Sequence, residues 1–237
     1  MPDRHHIQLD DELEALYAHI TEMGGLVEEQ LAKSLDAMSK RDSVLAEEVI
    51  ARDNLVNLQQ QEIDMAAALA LALRQPVSRD LREIIATIKI SGDLERIGDL
   101  AKNVAKRTLV LNQEEPVTLT GGLVRMGREV LSQIKDVLDA YNSRSVSRAL
   151  EVWTSDDEID ELYNSLLREF LTYMMEDPRT IGLCTHLLFI AKNLERAGDH
   201  ATNIAEMIYY IDKGEPIPND RPKGTPNKLT DVKPKAE

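Results

Sequence analysis

The chain has 237 residues, 43% of them hydrophobic, and its 42 acids outnumber its 28 bases for a net charge of −14. That is enough apolar material for one or two domains. The acidic balance excludes nucleic acid as a direct partner and electrostatic docking on an anionic membrane.

The first fourteen residues are polar and acidic and contain no apolar signal core. The longest purely apolar run, Ala66 to Leu73, is far short of the ~20 residues a membrane span requires. A single cysteine, Cys184, rules out an intrachain disulfide and fits a reducing compartment. The expectation is a soluble cytoplasmic protein with no membrane insertion.

Gly and Pro are scarce before residue 213 and fall at segment edges: Pro76, Pro116, Gly121-Gly122, Pro178 and Gly214-Glu215-Pro216. Amphipathic stretches of helix length run between them, with no strand-like alternation. The predicted elements, in order, are helices over about 10–40, 43–74, 79–110, 119–142, 145–175 and 179–212. Ser78 is the expected N-cap of the third helix, and Pro178 suits the first turn of the sixth. From Lys213 onward the chain is rich in Pro, Lys, Asp and Asn without periodicity, which reads as a disordered tail.

The chain repeats itself. Leu94-Glu95-Arg96-Ile97-Gly98-Asp99 returns as Leu194-Glu195-Arg196-Ala197-Gly198-Asp199, and Met23-Gly24 and Leu35-Asp36-Ala37 return 103 residues later. Arg41, Ala46, Val49 and Asp53 recur as Arg144, Ala149, Val152 and Asp156. The fold class is therefore all-α: two tandem three-helix bundles, residues 1–112 and 113–212, followed by a tail over 213–237. Helices of about 30 residues would be ~45 Å long.

A Glu and an Asp four residues apart share one helix face and repel each other, at a cost of roughly 0.2–0.5 kcal/mol. Glu95 and Asp99 continue the apolar stripe of Leu81, Ile84 and Ile88; Glu195 and Asp199 continue that of Ile181, Cys184 and Leu188. Charged groups in such positions are usually paired or metal-bound. On the preceding helix Asp53 and Asn57, or Asp156 and Asp160, supply further oxygens. A hairpin turning near residue 77 brings the 53–57 level opposite 97–101, and a turn near 177 brings 156–160 opposite 194–198. The candidate metal ligands are thus Glu95, Asp99, Asp53 and Asn57 in one bundle, and Glu195, Asp199, Asp156 and Asp160 in the other. An all-oxygen set suits Mg, Ca, Mn or ferrous iron. The competing reading is a salt-bridge lattice, with Arg96 and Arg196 pairing to Asp99 and Asp199 and with Lys89 and Lys102 neutralising the first cluster.

Other residues carry weaker signals. His200 is either an accessory ligand or a solvated helix histidine; His19 and His186 read as packing or surface residues, and His5-His6 receives no role. Cys184 reads as core. Asn103 and Asn203 orient ligands or face water, and Asp36 and Asp139 read as solvated. Gly98 and Gly198 each cost ~1 kcal/mol in a helix interior, which implies close helix approach or room for a bound group.

The segment from Arg74-Gln75-Pro76 through Asp80-Leu81-Arg82 to the first Leu-Glu-Arg-x-Gly-Asp resembles the PhoU family, regulators of bacterial phosphate transport. So does the segment from Leu171 through Met174-Met175-Glu176-Asp177-Pro178-Arg179-Thr180-Ile181 to the second motif. The resemblance covers about residues 10–212. It implies twin three-helix bundles with acidic motifs that hold iron, or bind Mg and Mn, and no established catalytic activity. It also implies an adaptor acting with the phosphate ABC transporter ATPase and a phosphate-sensing histidine kinase, a negative role in the phosphate-starvation response, and homodimers. Asn57 departs from the acidic pattern. Two alternatives stay open: a carboxylate-bridged metalloenzyme, weakened because Gly98 and Gly198 stand where a Glu-x-x-His motif needs histidine, and a metal-independent scaffold.

Overall fold

The computed structural model describes residues 4–115 and 118–218, with the side chains of residues 4–8, Thr118 and Asp156 left aside. The described residues form α1 (Arg4–Lys40), α2 (Ser43–Arg74), α3 (Ser78–Leu111), α4 (Gly121–Asn142), α5 (Val146–Thr154), α6 (Asp156–Glu176) and α7 (Ile181–Lys213). Short 3-10 turns precede α4 and α7, and no strand occurs among the described residues. The fifth predicted helix is present with a break at Ser155, where ψ of 0° interrupts the α-helical path and separates α5 from α6.

Each bundle packs three helical segments around a buried stripe. The turns that set them are duplicated along with the helices. Arg41 and Arg144, 103 residues apart, both adopt left-handed backbone with φ of 55° and 49°. The next residue caps the following helix: Asp42 accepts from the Leu45 amide at 3.0 Å, and Ser145 from that of Arg148 at 3.4 Å. Left-handed backbone costs a non-glycine residue roughly 1–2 kcal/mol, and both arginines turn their side chains to use. Arg41 donates to the carbonyls of Leu111 and Glu114 at the end of α3. Arg144 covers the Tyr17 ring and pairs with Glu83 across the molecule.

Two sequence expectations at helix starts are corrected. Ser78 does not cap α3: it lies inside the helix with φ of 53°, and the N-cap is Val77, which makes no side-chain cap bond. Pro178 opens a 3-10 turn and not α7 itself, and Asp177 caps that turn through the Arg179 amide. The tail reading over 213–237 falls mostly on residues 219–237, outside the described residues, as do the His5 and His6 side chains.

The bundles share one continuous core. α3 packs along α7, its counterpart, and α1 meets α4. The α1–α4 contact has twofold character. A Cβ on Gly24 would collide with Leu138, and one on Gly127 with Leu35; each pair is the other displaced by 103 residues. Next to this joint Tyr17 and Tyr141 stack with centroids 5.0 Å apart. The Tyr17 hydroxyl donates to the Asn142 carbonyl at 2.6 Å. The acidic motifs therefore sit in a fixed frame in the middle of α3 and α7.

Candidate functional site

In the first bundle, Asp53 of α2 meets Glu95 and Asp99 of α3 as the hairpin register predicts. Asp53 is 5% exposed, and a carboxylate so buried requires partners. Gln30 of α1 donates to Asp53 Oδ1 at 3.1 Å and to the Gly98 carbonyl at 3.3 Å. Lys102, three residues after Asp99, places its ammonium 2.5 Å from Asp53 Oδ2 and 2.6 Å from Asp99 Oδ1. Burial alone would lower the Lys102 pKa, but its bonds to the two aspartates raise it above the ordinary lysine value. Arg96 is exposed and approaches Glu95 and Asp99 only at 3.5 and 3.8 Å. Burial, with help from Asp99, pushes the Glu95 carboxyl above its usual range. Asn57 is half-buried and adds no charge.

The second bundle repeats the backbone and changes the occupants. Thr202 stands where Lys102 stands in the first copy, and Asp160 where Asn57 stands. Lys192 reaches Glu195 Oε1 at 2.6 Å, while Glu195 Oε2 is buried without a hydrogen-bond partner. Burial raises the Glu195 pKa, and the charges of Asp199 and Asp160 raise it further. Both aspartates therefore lie within electrostatic reach of Glu195. The side chain of Asp156 lies outside the described residues. Gln133, the counterpart of Gln30, reaches Thr202 Oγ1 only at 3.5 Å, and its Oε1 is buried without a partner.

Gly98 and Gly198 mark close approach. A Cβ on Gly98 would stand 3.3 Å from Val56, and one on Gly198 would stand 3.0 Å from Gln133 Oε1 and 3.1 Å from Ile159. These contacts set the level at which α2 and α6 present Asp53 and Asp160.

His200 faces away from the Glu–Asp pair toward the joint, with Nδ1 2.8 Å from Asp93 Oδ1 of α3. Asn203 donates to the same oxygen at 3.2 Å. Both residues thus lock α7 to α3. His186 meets Arg107, whose guanidinium lies 4.1 Å over Phe189. Cys184 is buried and free, and burial raises its thiol pKa. Asp36 pairs with Lys40 in solvent, and Asp139 is exposed.

The sequence reading overlooked Gln30, Gln133 and Asp93. The two glutamines carried a usable signal, since they recur at the 103-residue offset on otherwise apolar faces. Asp93 carried none, because its counterpart is Asn193.

Chemically the clusters differ. The first holds its own cation, so its donor set does not fit a metal while Lys102 stays in place. In the second, Lys192 pairs with one oxygen of Glu195 and the other oxygen is buried without a hydrogen-bond partner, which fits a hard cation. No three His, Cys, Asp or Glu side chains among the described residues are arranged to hold a metal ion as they stand.

The PhoU domain description matches residues 20–108 and 123–208. Curated relatives include the phosphate-specific transport system accessory protein PhoU homolog of Caulobacter vibrioides, 51% identical over 90% of this chain and 93% of its own. The homolog of the same name from Rhizobium meliloti is 50% identical over 90% of this chain and 91% of its own. Among solved structures, PhoU from Pseudomonas aeruginosa superposes with a TM-score of 0.84 at 40% identity, covering 87% of this chain and 99% of that one. The phosphate transport system regulatory protein PhoU from Streptococcus pneumoniae gives 0.82 at 33% identity, covering 88% and 99%.

Proposed function

Because this chain belongs to the PhoU family, we propose that it is a non-enzymatic accessory protein of phosphate-specific transport. In this reading it works on the cytoplasmic side, between the phosphate ABC transporter ATPase and a phosphate-sensing histidine kinase, and restrains phosphate uptake and the starvation response. The carrying observation is the likeness to accessory proteins of that name at about half identity over nine-tenths of the chain. No helix among the described residues is long and apolar enough to cross a membrane, so association with the transporter falls to the surface of the bundles.

The metal-binding part of the proposal is confined to the second bundle. Glu195, Asp199 and Asp160, with Asp156 at their level, are the residues that would hold Mg, Mn or Fe there. When bound, such an ion supplies positive charge to a cluster that otherwise has excess anionic oxygen. The buried, unsatisfied Glu195 Oε2 supports this. In the first bundle Lys102 favours the salt-bridge reading.

Two measurements test the proposal. A pull-down with the transporter ATPase and the kinase, on metal-loaded and metal-stripped protein, should recover at least one partner; recovery of neither in both states rejects the adaptor reading. Elemental analysis of protein purified without added metal or chelator should find metal that Glu195→Ala plus Asp199→Ala removes. Metal lost instead on changing Glu95 and Asp99 would reject the assignment to the second bundle.

A further inference from the structure

α3 and α7 run antiparallel across the joint: Arg82 reaches the Ile211 carbonyl, Asp93 meets His200, and Arg107 meets His186. Residues 100 apart correspond along these two helices, so the repeat gives the joint two equivalent sides. One side is a cleft whose charged lining is Lys89, Arg96, Asp93, Glu95 and Glu206, two bases and three acids. At the corresponding positions of the other side stand Phe189, Arg196, Asn193, Glu195 and Lys106, while Gly92 and Met207 give way to Lys192 and Arg107. That side therefore has four bases and one acid. Its helices meet as the repeat requires, with the Arg107 guanidinium 4.1 Å over the Phe189 ring.

On a chain of net charge −14, such a reversal is not explained by internal pairing. Asn193 and Leu100 replace the Asp93 and His200 that lock the cleft side, so no acid of the joint calls for these bases. The one acid present, Glu195, is held by Lys192 at 2.6 Å. Lys106 and Arg196 are exposed. Arg107 is half-buried, and burial holds its pKa below the ordinary arginine value with no acid to raise it.

A guanidinium so placed is organised to receive an anion. Phe189 lies beneath it and His186 Nδ1 is 3.2 Å from Nη1; with the plane already fixed, little rotamer freedom is lost when the remaining N–H groups bind. Phe189, Lys192 and Arg196 follow steps of three and four residues, one line about 10 Å long on α7. Lys106, Arg107 and Val110 share the facing side of α3. Phe189 and Val110 are 49% and 39% exposed and set apolar surface between the charges.

This mixture selects the partner. Arginine and aromatic side chains are favoured anchors of protein interfaces, and a carboxylate accepts two parallel N–H groups from a guanidinium. A continuous phosphate chain would run past so short a strip onto the acidic remainder of the molecule and be repelled there. A polypeptide can confine a few carboxylates to the strip and lay apolar side chains on Phe189 and Val110.

We propose that the side of the α3–α7 joint bearing Lys106, Arg107 and Arg196 is a docking surface for an acidic polypeptide segment, with Phe189 as its apolar floor. The inference needs neither the metal reading nor the transporter reading. The full chain, with and without chelator, is mixed at low salt with a labelled peptide of glutamates interspersed with leucine, and fluorescence anisotropy reads the binding. Added salt should weaken it. Zero-length carbodiimide coupling should join the peptide to Lys106 and not to Lys89, as located by mass spectrometry. Lys106→Glu with Arg196→Glu, both at exposed positions, should keep the helical circular dichroism and weaken binding by about 10-fold. Lys89→Glu with Arg96→Glu changes the net charge equally on the cleft side and should leave binding unaltered. Absence of binding overturns the proposal. So does coupling at Lys89 in place of Lys106, so does equal weakening by the two charge reversals, and so does polyphosphate binding the strip more tightly than the peptide.

Discussion

The two bundles share a backbone plan and differ in what closes each acidic cluster. In the first, α3 supplies Lys102 as a permanent counter-ion between Asp53 and Asp99, and Asn57 removes a charge. In the second, Thr202 and Asp160 reverse both choices, and a buried oxygen of Glu195 has no partner. The outer faces diverge as well: α2 is apolar where α6 is charged. Duplication has therefore preserved the positions that fix helix register, such as Gly98 and Gly198. Those that decide charge balance and outward contact were left to specialise.

Exchanging the occupants of one position is the strongest way to break this contrast. Thr202→Lys should give the second bundle its own cation and abolish metal retention, read by elemental analysis. Lys102→Met should leave Asp53 buried beside Asp99 without the ammonium, costing about 3 kcal/mol in denaturant unfolding. Added divalent ion should restore part of that loss, because the emptied position then becomes a cation site.

The twofold joint is tested next. Gly24→Ala and Gly127→Ala each push a Cβ into a leucine of the other bundle; the overpacking costs about 1–3 kcal/mol, of which alanine's better helix propensity returns about 1 kcal/mol, so each should destabilise modestly. Near-equal losses support a symmetric joint, whereas one silent substitution would show that the two contacts are unlike.

A smaller effect concerns Glu195. Its pKa is raised on folding, so the folded state holds the proton more tightly than the unfolded chain. The metal-free protein should then lose stability as pH rises from the usual carboxylate range through the raised value, and stay at the lower level above it. Glu195→Gln should flatten that slope, read as a smaller change of melting temperature with pH across the window. Without metal, a wild type that gains stability across that window would refute the sign. The smallest change is expected from His200→Ala, which removes one of two bonds to Asp93 and should cost about 1 kcal/mol or less, with metal content unchanged.

Much of the site was legible because helical geometry converts sequence spacing into direction. Spacing put Glu95 above Asp99, and equal distances from the turn set Asp53 at their height; the structure brings the three together, with Lys102 bridging Asp53 and Asp99. The break at Ser155 was not legible, since the amphipathic pattern runs through it unchanged. Nor was the role of His200, whose neighbour Asp199 suggested a ligand while the ring turns to a residue 107 positions away.

Repeat, helix periods and turn residues are local quantities, and the sequence alone determined them: an all-α chain of two like halves with acids on the inner faces. Which cation answers those acids is a contest at a few ångströms between side chains distant in sequence. Only the packing of α1, α2 and α3 decided that Lys102 wins in one half. Only the packing around α7 decided that Glu195 stays unsatisfied in the other. Burial strengthens every such electrostatic choice, and burial is a property of the assembled fold.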